Sequence, residues 1–347
     1  MKTRALTSAD VAEVVLAVGI DRFYDELIES MTEALTGYDP AVTIAHTRDG
    51  FHYQEPDLGL LEWMPTMQLG SLACVKTVGY HPTNPAKRGL PSVVSTTALY
   101  DTASGELVAL AESTLLTALR TGVASAIASD ILAADRPLVV GVIGCGAQAV
   151  TQLHALSRVR RIDEVLAFDV DPSVSATLER RLGLPLPVSV IDDGRRRTLL
   201  RDVDLLVTCT SVDIGAGPVT TDTESRPWAH VNAIGADFAG KTELPKAFLD
   251  RCAVFADNLE QCVAEGECQQ IDPSSIVASL PELVRDADRF RCYESTPTVF
   301  DSTGWALEDQ VVLELLLSHA CRLNVGRSLE LSTKPTDPYD PYETLRR

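Results

Sequence analysis

Three small residues in the middle of the chain have the spacing of a turn that holds a dinucleotide. In the segment GVIGCGAQA, residues 141–149, Gly144 would make a tight turn and Gly146 would let a pyrophosphate approach the backbone. Ala149 would let the following helix pack close to the preceding strand. The free amide groups at the start of that helix would then bind the pyrophosphate. The spacing therefore predicts a nucleotide-binding turn between a strand and a helix.

An acidic residue follows this turn at the distance that a dinucleotide site requires. Asp169 lies at the end of the next apolar run, EVLAFDV, about 20 residues beyond Ala149. A carboxylate in that place accepts hydrogen bonds from the ribose hydroxyls and repels a 2′-phosphate. The order of strand, glycines, helix, strand and acid therefore predicts a site for NAD rather than NADP. An α/β domain that binds no nucleotide is the alternative.

Four charged residues in the N-terminal part of the chain are candidates for binding a substrate: Arg48, Glu62, Lys76 and Arg120. Only six of the 30 basic residues are lysines, and Lys76 is one that lies inside an apolar run, ACVKTVGY. A lysine point charge beside one or two planar guanidinium groups would hold a carboxylate. As alternatives, Lys76 could extend from an edge strand towards water, and Arg48 could be a solvated loop residue.

The order of helical and strand patterns predicts two units that are joined by a helix. Residues 8–36 have helical spacing, and residues 43–110 contain short β-rich runs separated by Gly, Pro and Asn. A long Ala- and Leu-rich helix at 113–133 leads into alternating strand and helix patterns that continue to about residue 300. We therefore expect an α/β fold, with a Rossmann-type doubly wound parallel sheet plus an α+β domain.

The chain is long enough for two domains of ordinary size. It has 347 residues, of which 45% are hydrophobic and 5% aromatic, a composition typical of α/β proteins. We expect the Rossmann NAD-binding domain at 121–304. The substrate-binding and dimerisation domain would comprise 1–120 and be completed by 305–347.

Charge and apolar patterning argue against several classes of partner. The net charge of −19 repels nucleic acid and acidic membrane surfaces. Glu13 and Asp21 interrupt the apolar N-terminal stretch, so we expect neither a signal peptide nor a membrane span, and a cytoplasmic protein. The eight cysteines include no CxxC pair, and no metal site is predicted.

Further segments, spread over almost the whole chain, form a family pattern. They are LEWMP, KTVGYHPTN with GLPSV, LLTALRTGVASAIAS, GVIGCGAQA, NAIGADFAGKTELP, GECQQI and TVFDSTGWALED. Together they resemble the ornithine cyclodeaminase/μ-crystallin family, and its cyclodeaminase branch in particular. The resemblance implies a substrate-binding and dimerisation domain beside a Rossmann domain, with the active site in the cleft between them. A homodimer through the sheet of residues 43–110 is expected, because that sheet would otherwise expose an apolar face.

The resemblance also implies roles for individual residues. Arg48, Lys76 and Arg120 would hold the substrate carboxylate, and Glu62 would face the distal amine. Asp237 would be the general acid/base, although an aspartate at this turn could instead cap a helix. The residues expected to contact the cofactor are Ser92, Gly144, Gly146, Ala147, Gln148, Asp169, Thr210, Ile234, Gly235, Ala236, Lys241 and Ser302.

The activity that the resemblance implies is the conversion of ornithine to proline and ammonia. NAD+ would take hydride from Cα, the distal amine would attack the resulting imine, ammonia would leave, and the cyclic ketimine would take the hydride back. Thr303 would lie beside the substrate where a small apolar residue would suit a methylene chain, so the substrate could differ from ornithine in length or polarity. A net-redox relative, such as a ketimine reductase, an alanine-type dehydrogenase or an amino-acid condensing synthase, is a second possibility. A crystallin-like binding protein is a third.

Overall fold

The computed structural model describes residues 2–221, 224–332 and 334–346, which form two eight-stranded sheets with helices packed on them. The strands are β1 (Thr3–Leu6), β2 (Thr43–Ala45), β3 (Asp49–Tyr53), β4 (Gly59–Gln68), β5 (Leu72–Tyr80), β6 (Val93–Asp101), β7 (Leu107–Glu112), β8 (Leu138–Ile143), β9 (Ile162–Phe168), β10 (Val188–Val190), β11 (Leu205–Thr208), β12 (His230–Ala233), β13 (Ala253–Ala256), β14 (Ile276–Ser279), β15 (Thr298–Asp301) and β16 (Arg327–Leu329).

The helices lie mostly between these strands. They are α1 (Ser8–Val18), α2 (Ile20–Thr36), α3 (Asn84–Arg88), α4 (Thr114–Leu132), α5 (Ala147–Val159), α6 (Pro172–Ser175), α7 (Leu178–Leu182), α8 (Asp193–Arg196), α9 (Leu199–Asp202), α10 (Lys246–Leu249), α11 (Leu259–Glu265), α12 (Leu280–Arg285), α13 (Ala287–Phe290) and α14 (Ala306–Leu323). Short 3-10 helices lie at Glu267–Gln270, Pro273–Ser275, Arg291–Ser295 and Glu343–Arg346.

The first sheet is mixed, as the short β-rich runs predict. Its order is β16-β1-β7-β6-β5-β4-β2, with β3 also paired to β4, and every pair is antiparallel except β1 with β7. Side chains alternate between its faces, so that Cys74 and Leu99 pack into a core shared with α1, α4 and α14. Leu61, Val94 and Leu110 lie on the opposite face and are exposed. One face of this sheet is therefore covered by helices and the other carries exposed apolar side chains.

The second sheet is parallel throughout, with the order β10-β9-β8-β11-β12-β15-β13-β14. The chain runs outward from β8 to β10 and then returns to β11 on the other side of β8. The strand order therefore reverses between β8 and β11, and sheets of this type bind ligands at the carboxyl ends of the strands beside such a reversal. The expected Rossmann-type doubly wound α/β fold is confirmed.

Helix α4 connects the two sheets and lies in the core. It packs against α2, α5 and α14, against β6 of the first sheet, and against β12 and β15 of the second. By length and composition alone α4 is apolar enough to cross a membrane, but 83% of its most apolar 18-residue stretch is buried inside the protein. This burial is typical of a core helix. The domain boundary predicted between residues 120 and 121 falls within this continuous helix, and the division remains a prediction.

Candidate active site

Lys76 and Arg120 meet at two carboxylates beneath the first sheet. Lys76, on β5, and Arg120, on α4, are only 1% and 4% exposed. Lys76 Nζ lies 2.7 Å from Asp309 Oδ2. Arg120 Nε donates to Asp309 Oδ1 at 3.0 Å, and its Nη1 donates to Glu308 Oε2 at 2.7 Å. Both acids lie in the first turn of α14, and they compensate charges that would be costly to bury unpaired.

The position of Lys76 shows that it is not a lysine that reaches water from a sheet edge. Strand β5 lies between β4 and β6, and the Lys76 ammonium is enclosed. Burial and the nearby Arg120 charge lower the pKa of Lys76 to about 8, against the opposing effect of Asp309. A cation that is held at this cost is suited to binding an anion.

Arg48 is also buried, and it connects two groups of residues. Its Nη2 donates to the carbonyl oxygen of Thr303 and, at 3.2 Å, to that of Gly304. Its Nη1 lies 3.6 Å from Glu62 Oε2, and its Nε lies 3.0 Å from Glu265 Oε2. The Arg48 side chain is therefore not a solvated loop residue.

Gly304 lies between the two guanidinium groups. It has a φ of +86°, and a Cβ at this position would lie 2.5 Å from Arg120 Nη1. Its carbonyl accepts from Arg48, so both arginines contact the same residue. The charges of Arg120 and Arg48 both lower the pKa of Lys76, which places all three cations in one cluster. The structure thus brings together the three residues predicted to hold a carboxylate.

Three carboxylates lie on the other side of Arg48. They belong to Glu62 on β4, Glu265 at the end of α11, and Asp237 beyond β12. Burial, opposed by the charge of Arg48 and reinforced by the charges of Glu62 and Asp237, raises the pKa of Glu265 to about 7. This charged cluster therefore has a cationic part around Lys76 and an acidic part around Glu265.

Asp237 does not cap a helix. Strand β12 ends at Ala233, and the next helix begins only at Lys246. Asp237 Oδ1 instead accepts from Lys241 Nζ at 2.6 Å, and that ammonium lies 5.2 Å from the centre of the Tyr80 ring. Burial alone would lower the pKa of Lys241, but Asp237, together with Tyr80 and Glu243, outweighs burial and raises it. Lys241, expected at the cofactor, therefore contacts the residue expected to be the acid/base.

The turn after β8 has the geometry that a pyrophosphate requires. Gly144 has a φ of +92°, and a Cβ there would lie 2.7 Å from the carbonyl oxygen of Cys209. A Cβ at Gly146 would meet no atom of the described residues within 4 Å, so the space beside it is open. Ala147 begins α5, and among the described residues no side chain caps this helix, which leaves its first amide groups for an anion.

Asp169 lies directly beside this turn. Its Oδ2 accepts from the N–H of Cys145 at 2.7 Å, and its Oδ1 accepts from the N–H of Asp171 at 2.9 Å. A carboxylate oxygen has two lone pairs, so each retains capacity to accept from a ribose hydroxyl. Gln148, in the first turn of α5, has its Oε1 3.3 Å from the hydroxyl of Thr151. These residues fit a dinucleotide.

Two buried carboxylates that sequence reasoning missed hold the other predicted cofactor loops. Glu243 Oε1 accepts from the N–H of Thr210 at 2.8 Å, and its Oε2 accepts from the N–H of Gly235 at 2.7 Å. This side chain ties the end of β11 to the end of β12. Asp257 accepts from the hydroxyl of Ser302 at 2.9 Å, which fixes the segment after β15. Hydrogen bonds to these two buried carboxylates therefore fix the loops at the carboxyl edge of the second sheet.

The remaining predicted cofactor residues lie on both sheets. Ile234 and Ala236 are buried in the segment after β12. Ser92 lies just before β6, where its carbonyl accepts from the N–H of His81 at 2.7 Å. Within the part of the chain that the structure describes, no hydrogen bond or ion pair links Ser92 to the other residues expected at the cofactor. The same part contains no group of three side chains that could hold a metal ion.

Four polar residues of the site were not singled out from the sequence, although the segment that contains Glu308 and Asp309 was recognised. Glu308 and Asp309 pair with the buried cations, and Glu265 pairs with Arg48. Gln261 Nε2 donates to the hydroxyl of Thr303 at 2.9 Å. The adjacent acids at the start of a strongly apolar helix, in WALEDQVV, are a signal that could have found the first two.

Comparison with known proteins identifies a family and its members. The sequence model of the ornithine cyclodeaminase/mu-crystallin family matches residues 9–322. The chain is 37% identical to the L-lysine cyclodeaminase of Streptomyces rapamycinicus over 344 residues, which cover 99% of each chain.

Two solved structures are similar over nearly the whole chain. One is a lysine cyclodeaminase described in terms of its recognition of L-lysine, L-ornithine and L-2,4-diaminobutyric acid, with a TM-score of 0.94, 41% identity and coverage of 99% of each chain. The other is an archaeal alanine dehydrogenase dimer with bound NAD, with a TM-score of 0.84, 31% identity and coverage of 96% of this chain and 100% of that one. The protein therefore belongs to the ornithine cyclodeaminase/mu-crystallin family.

Proposed function

We propose that the protein is an NAD-dependent cyclodeaminase that converts a diamino acid into a cyclic amino acid and ammonia. The observation that carries the proposal is one cluster in which the basic groups of Arg48, Lys76 and Arg120 lie beside the carboxylates of Glu62 and Asp237. A diamino acid has one carboxylate and two ammonium groups, so its charges complement such a cluster. The similarity to lysine cyclodeaminases supports the same reaction.

L-lysine is the first substrate that we propose, and L-ornithine, which the sequence resemblance implies, is the second. The similarity to an L-lysine cyclodeaminase extends over 99% of both chains, and the solved lysine cyclodeaminase is described as recognising both amino acids. Ring closure between Cα and the distal nitrogen gives piperidine-2-carboxylate from lysine and proline from ornithine. Both reactions release the α-nitrogen as ammonia.

The substrate carboxylate is assigned to Lys76 and Arg120. The Lys76 ammonium has three N–H donors but contacts only one acceptor among the described residues, Asp309. The Arg120 guanidinium uses two of its five N–H donors on such acceptors. The unused donors can hold a second carboxylate while the pairs with Asp309 and Glu308 stay intact. Arg48 contributes positive charge, and its Nη2 already donates to the carbonyl oxygens of Thr303 and Gly304.

Bound NAD supplies the reversible oxidation of the substrate Cα, and side chains of this protein orient the substrate and move its protons. Glu62 attracts the distal ammonium and directs it towards Cα. The Asp237 side chain is 40% exposed and therefore exchanges protons with water, and Lys241 holds it in place at 2.6 Å. We assign to Asp237 the delivery of a proton to the departing α-nitrogen.

Incubation with a catalytic amount of NAD+ and separate amino acids tests the proposed function. With L-lysine or L-ornithine, mass spectrometry is expected to detect the cyclic product, and an ammonia assay is expected to show one equivalent per turnover. L-alanine should give neither. With substrate deuterated at Cα, the label should return to Cα of the product. Accumulation of NADH or washout of the label would instead identify a net dehydrogenase.

We predict that the protein binds NAD more tightly than NADP, with a ratio on the order of tenfold or more. The reason is that Asp169 lies at the glycine-rich turn, where its charge would repel a 2′-phosphate. Asp169→Ser should narrow the ratio, as measured by calorimetric titration of both nucleotides. Asp163→Ser, which changes an exposed acid on β9, the strand that ends just before Asp169, is the matched control and should leave the ratio unchanged. Equal affinities in the unmodified protein would contradict the assignment.

We also propose that two copies associate through the exposed face of the first sheet. Leu61 and Val94 lie on this face on either side of Gly79 and are 40% and 42% exposed, and Leu110 is 41% exposed. Contiguous apolar area of this kind marks an interaction surface. The archaeal alanine dehydrogenase relative was solved as a dimer, which supports this assembly.

A double substitution, Leu61→Glu with Val94→Glu, is expected to convert the dimer into a monomer. Two carboxylates in the centre of an apolar interface would be desolvated without partners, which is strongly unfavourable. Light scattering at micromolar concentration measures the change in mass. Leu16→Glu on α1, where the leucine is 79% exposed, is the control and should not alter the mass. A monomeric unmodified protein would overturn the proposed assembly.

A further inference from the structure

Glu265 belongs to the acidic part of the charged cluster, and its oxygen beside Arg48 has no hydrogen-bond donor among the described residues. It is the last residue of α11, and its side chain is only 18% exposed. Its Oε2 lies 3.0 Å from Arg48 Nε, but the two groups are not aligned as donor and acceptor, and this oxygen is buried. Among the described residues, Oε2 has no hydrogen-bond partner. Buried carboxylates are normally satisfied by donors, so this one is available to a ligand that brings its own N–H groups.

The charged groups around Glu265 come from four other parts of the chain. Arg48 precedes β3, His52 lies on β3, Glu62 lies on β4, and Asp237 follows β12. Arg48 is the one permanently cationic group among these neighbours, and it faces the negative charges of Glu62 and Asp237 as well as that of Glu265. The charges around Glu265 therefore favour the binding of a further cation there.

The other two carboxylates already have hydrogen-bonding side chains beside them. Glu62 lies 3.3 Å from His52 Nε2 and 3.6 Å from Arg48 Nη1. Asp237 accepts from Lys241 at 2.6 Å. Glu265 also has a close cation, Arg48 at 3.0 Å, but its Oε2 accepts no hydrogen bond from the described residues. Of the three carboxylates, Glu265 therefore has the oxygen most open to an N–H group of the substrate.

We propose that Glu265 is a catalytic residue that receives the proton which the distal ammonium of the substrate must lose before the ring closes. In this step the carboxylate takes one proton from the –NH3+ group and becomes a neutral carboxylic acid. The resulting –NH2 group has the lone pair that forms the new bond to Cα. Glu62 orients the amine. This assignment rests on the proposed cyclodeaminase function. It gives the two proton transfers to two residues: Glu265 takes a proton from the incoming amine, and Asp237 gives a proton to the leaving nitrogen.

The pH dependence of this step follows from the surroundings of Glu265. Burial raises the pKa of Glu265 to about 7, with Glu62 and Asp237 reinforcing the shift and Arg48 and His52 opposing it. Below that pH the side chain is already protonated and cannot accept the substrate proton. The rate of cyclisation should therefore rise as the pH increases through about 7.

The test compares Glu265→Gln with Glu260→Gln, which changes an exposed residue of the same helix. With L-lysine, Glu265→Gln is expected to lower kcat by a factor on the order of 10² and to remove the rise of the rate with pH. Glu265→Asp, which restores a carboxylate, should restore the pH dependence in part. Glu260→Gln should behave as the unmodified enzyme in both respects.

A rapid-mixing measurement separates this proposal from the function on which it rests. When L-lysine meets the enzyme with NAD+, Glu265→Gln should form the absorbance of NADH normally but release the cyclic product slowly, because oxidation at Cα precedes the blocked step. If Glu265→Gln retains the kcat and pH profile of the unmodified enzyme, Glu265 is not the base. If the unmodified enzyme forms no cyclic product from any diamino acid, the proposed function itself is wrong.

Discussion

The Asp237→Asn enzyme is expected to lose turnover by a factor on the order of 10²–10⁴ while it binds NAD with nearly unchanged affinity. Asparagine has almost the same shape as aspartate, and its amide oxygen can still accept from Lys241 Nζ, which lies 2.6 Å from the carboxylate. The amide cannot take up or release a proton near neutral pH, so the departing α-nitrogen would lack its proton donor. Steady-state kinetics with L-lysine and calorimetric titration with NAD measure the two quantities separately.

The matched control for this substitution is Asp250→Asn. Asp250 forms an ion pair of the same sequence spacing with Lys246, at 2.5 Å, but on the protein surface. Asp250→Asn removes a comparable ion pair outside the charged cluster, so kcat should not change. If Asp237→Asn retains more than about a tenth of the normal kcat, the acid/base role belongs to another residue.

The parallel sheet was predictable because its strands are buried on both faces. Such strands form continuous apolar runs, and runs of this kind predicted β8, β9, β11 and β12. Strand β14 was not recognised. It has only four residues, IVAS, and directly follows a short 3-10 helix, so no alternation or run is long enough to mark it. Its pairing with β13 is a result of the tertiary fold.

The pairing of the buried charges could not be predicted from local patterns. Arg120 and its partners Glu308 and Asp309 are separated by 188 and 189 positions, so only the packing of α14 against α4 brings them together. The rarity of lysine did indicate that Lys76 has a special position. Nothing in the neighbouring sequence indicated which acid would compensate it.

Buried acids that hold backbone loops were missed for a related reason. Acidic residues are mostly exposed in folded proteins, so Glu243 and Asp257 have no sequence feature that distinguishes them from surface residues. In the structure both are fully buried, and they accept hydrogen bonds from the segments that follow β11, β12 and β15. The positions of the cofactor loops were thus predictable from motifs, whereas the side chains that fix those loops were not.

Lys76→Met is expected to raise the KM for L-lysine by roughly ten- to a hundredfold, with a smaller effect on kcat. The substitution keeps the length of the side chain but removes a charge-assisted contact to the substrate carboxylate, and such contacts are worth about 1.5–3 kcal/mol. Asp309 retains its hydrogen bond from Arg120, at 3.0 Å, so the protein is not left with an isolated carboxylate. Steady-state kinetics measure the effect, and Lys87→Met, which removes an exposed lysine paired with Asp57, is the control.

The pH dependence of KM distinguishes a direct contact with the carboxylate from a purely structural role of Lys76. Burial and the Arg120 charge lower the pKa of Lys76 to about 8, so the ammonium is charged below that pH and becomes neutral above it. A lysine that binds the substrate carboxylate must therefore lose affinity for L-lysine as the pH rises through about 8, and KM should increase. In Lys76→Met this increase should disappear, because no group remains at that position to titrate. A structural role would instead lower the thermal stability of the variant and leave the alkaline increase of KM in place, and that result would exclude Lys76 from the substrate site.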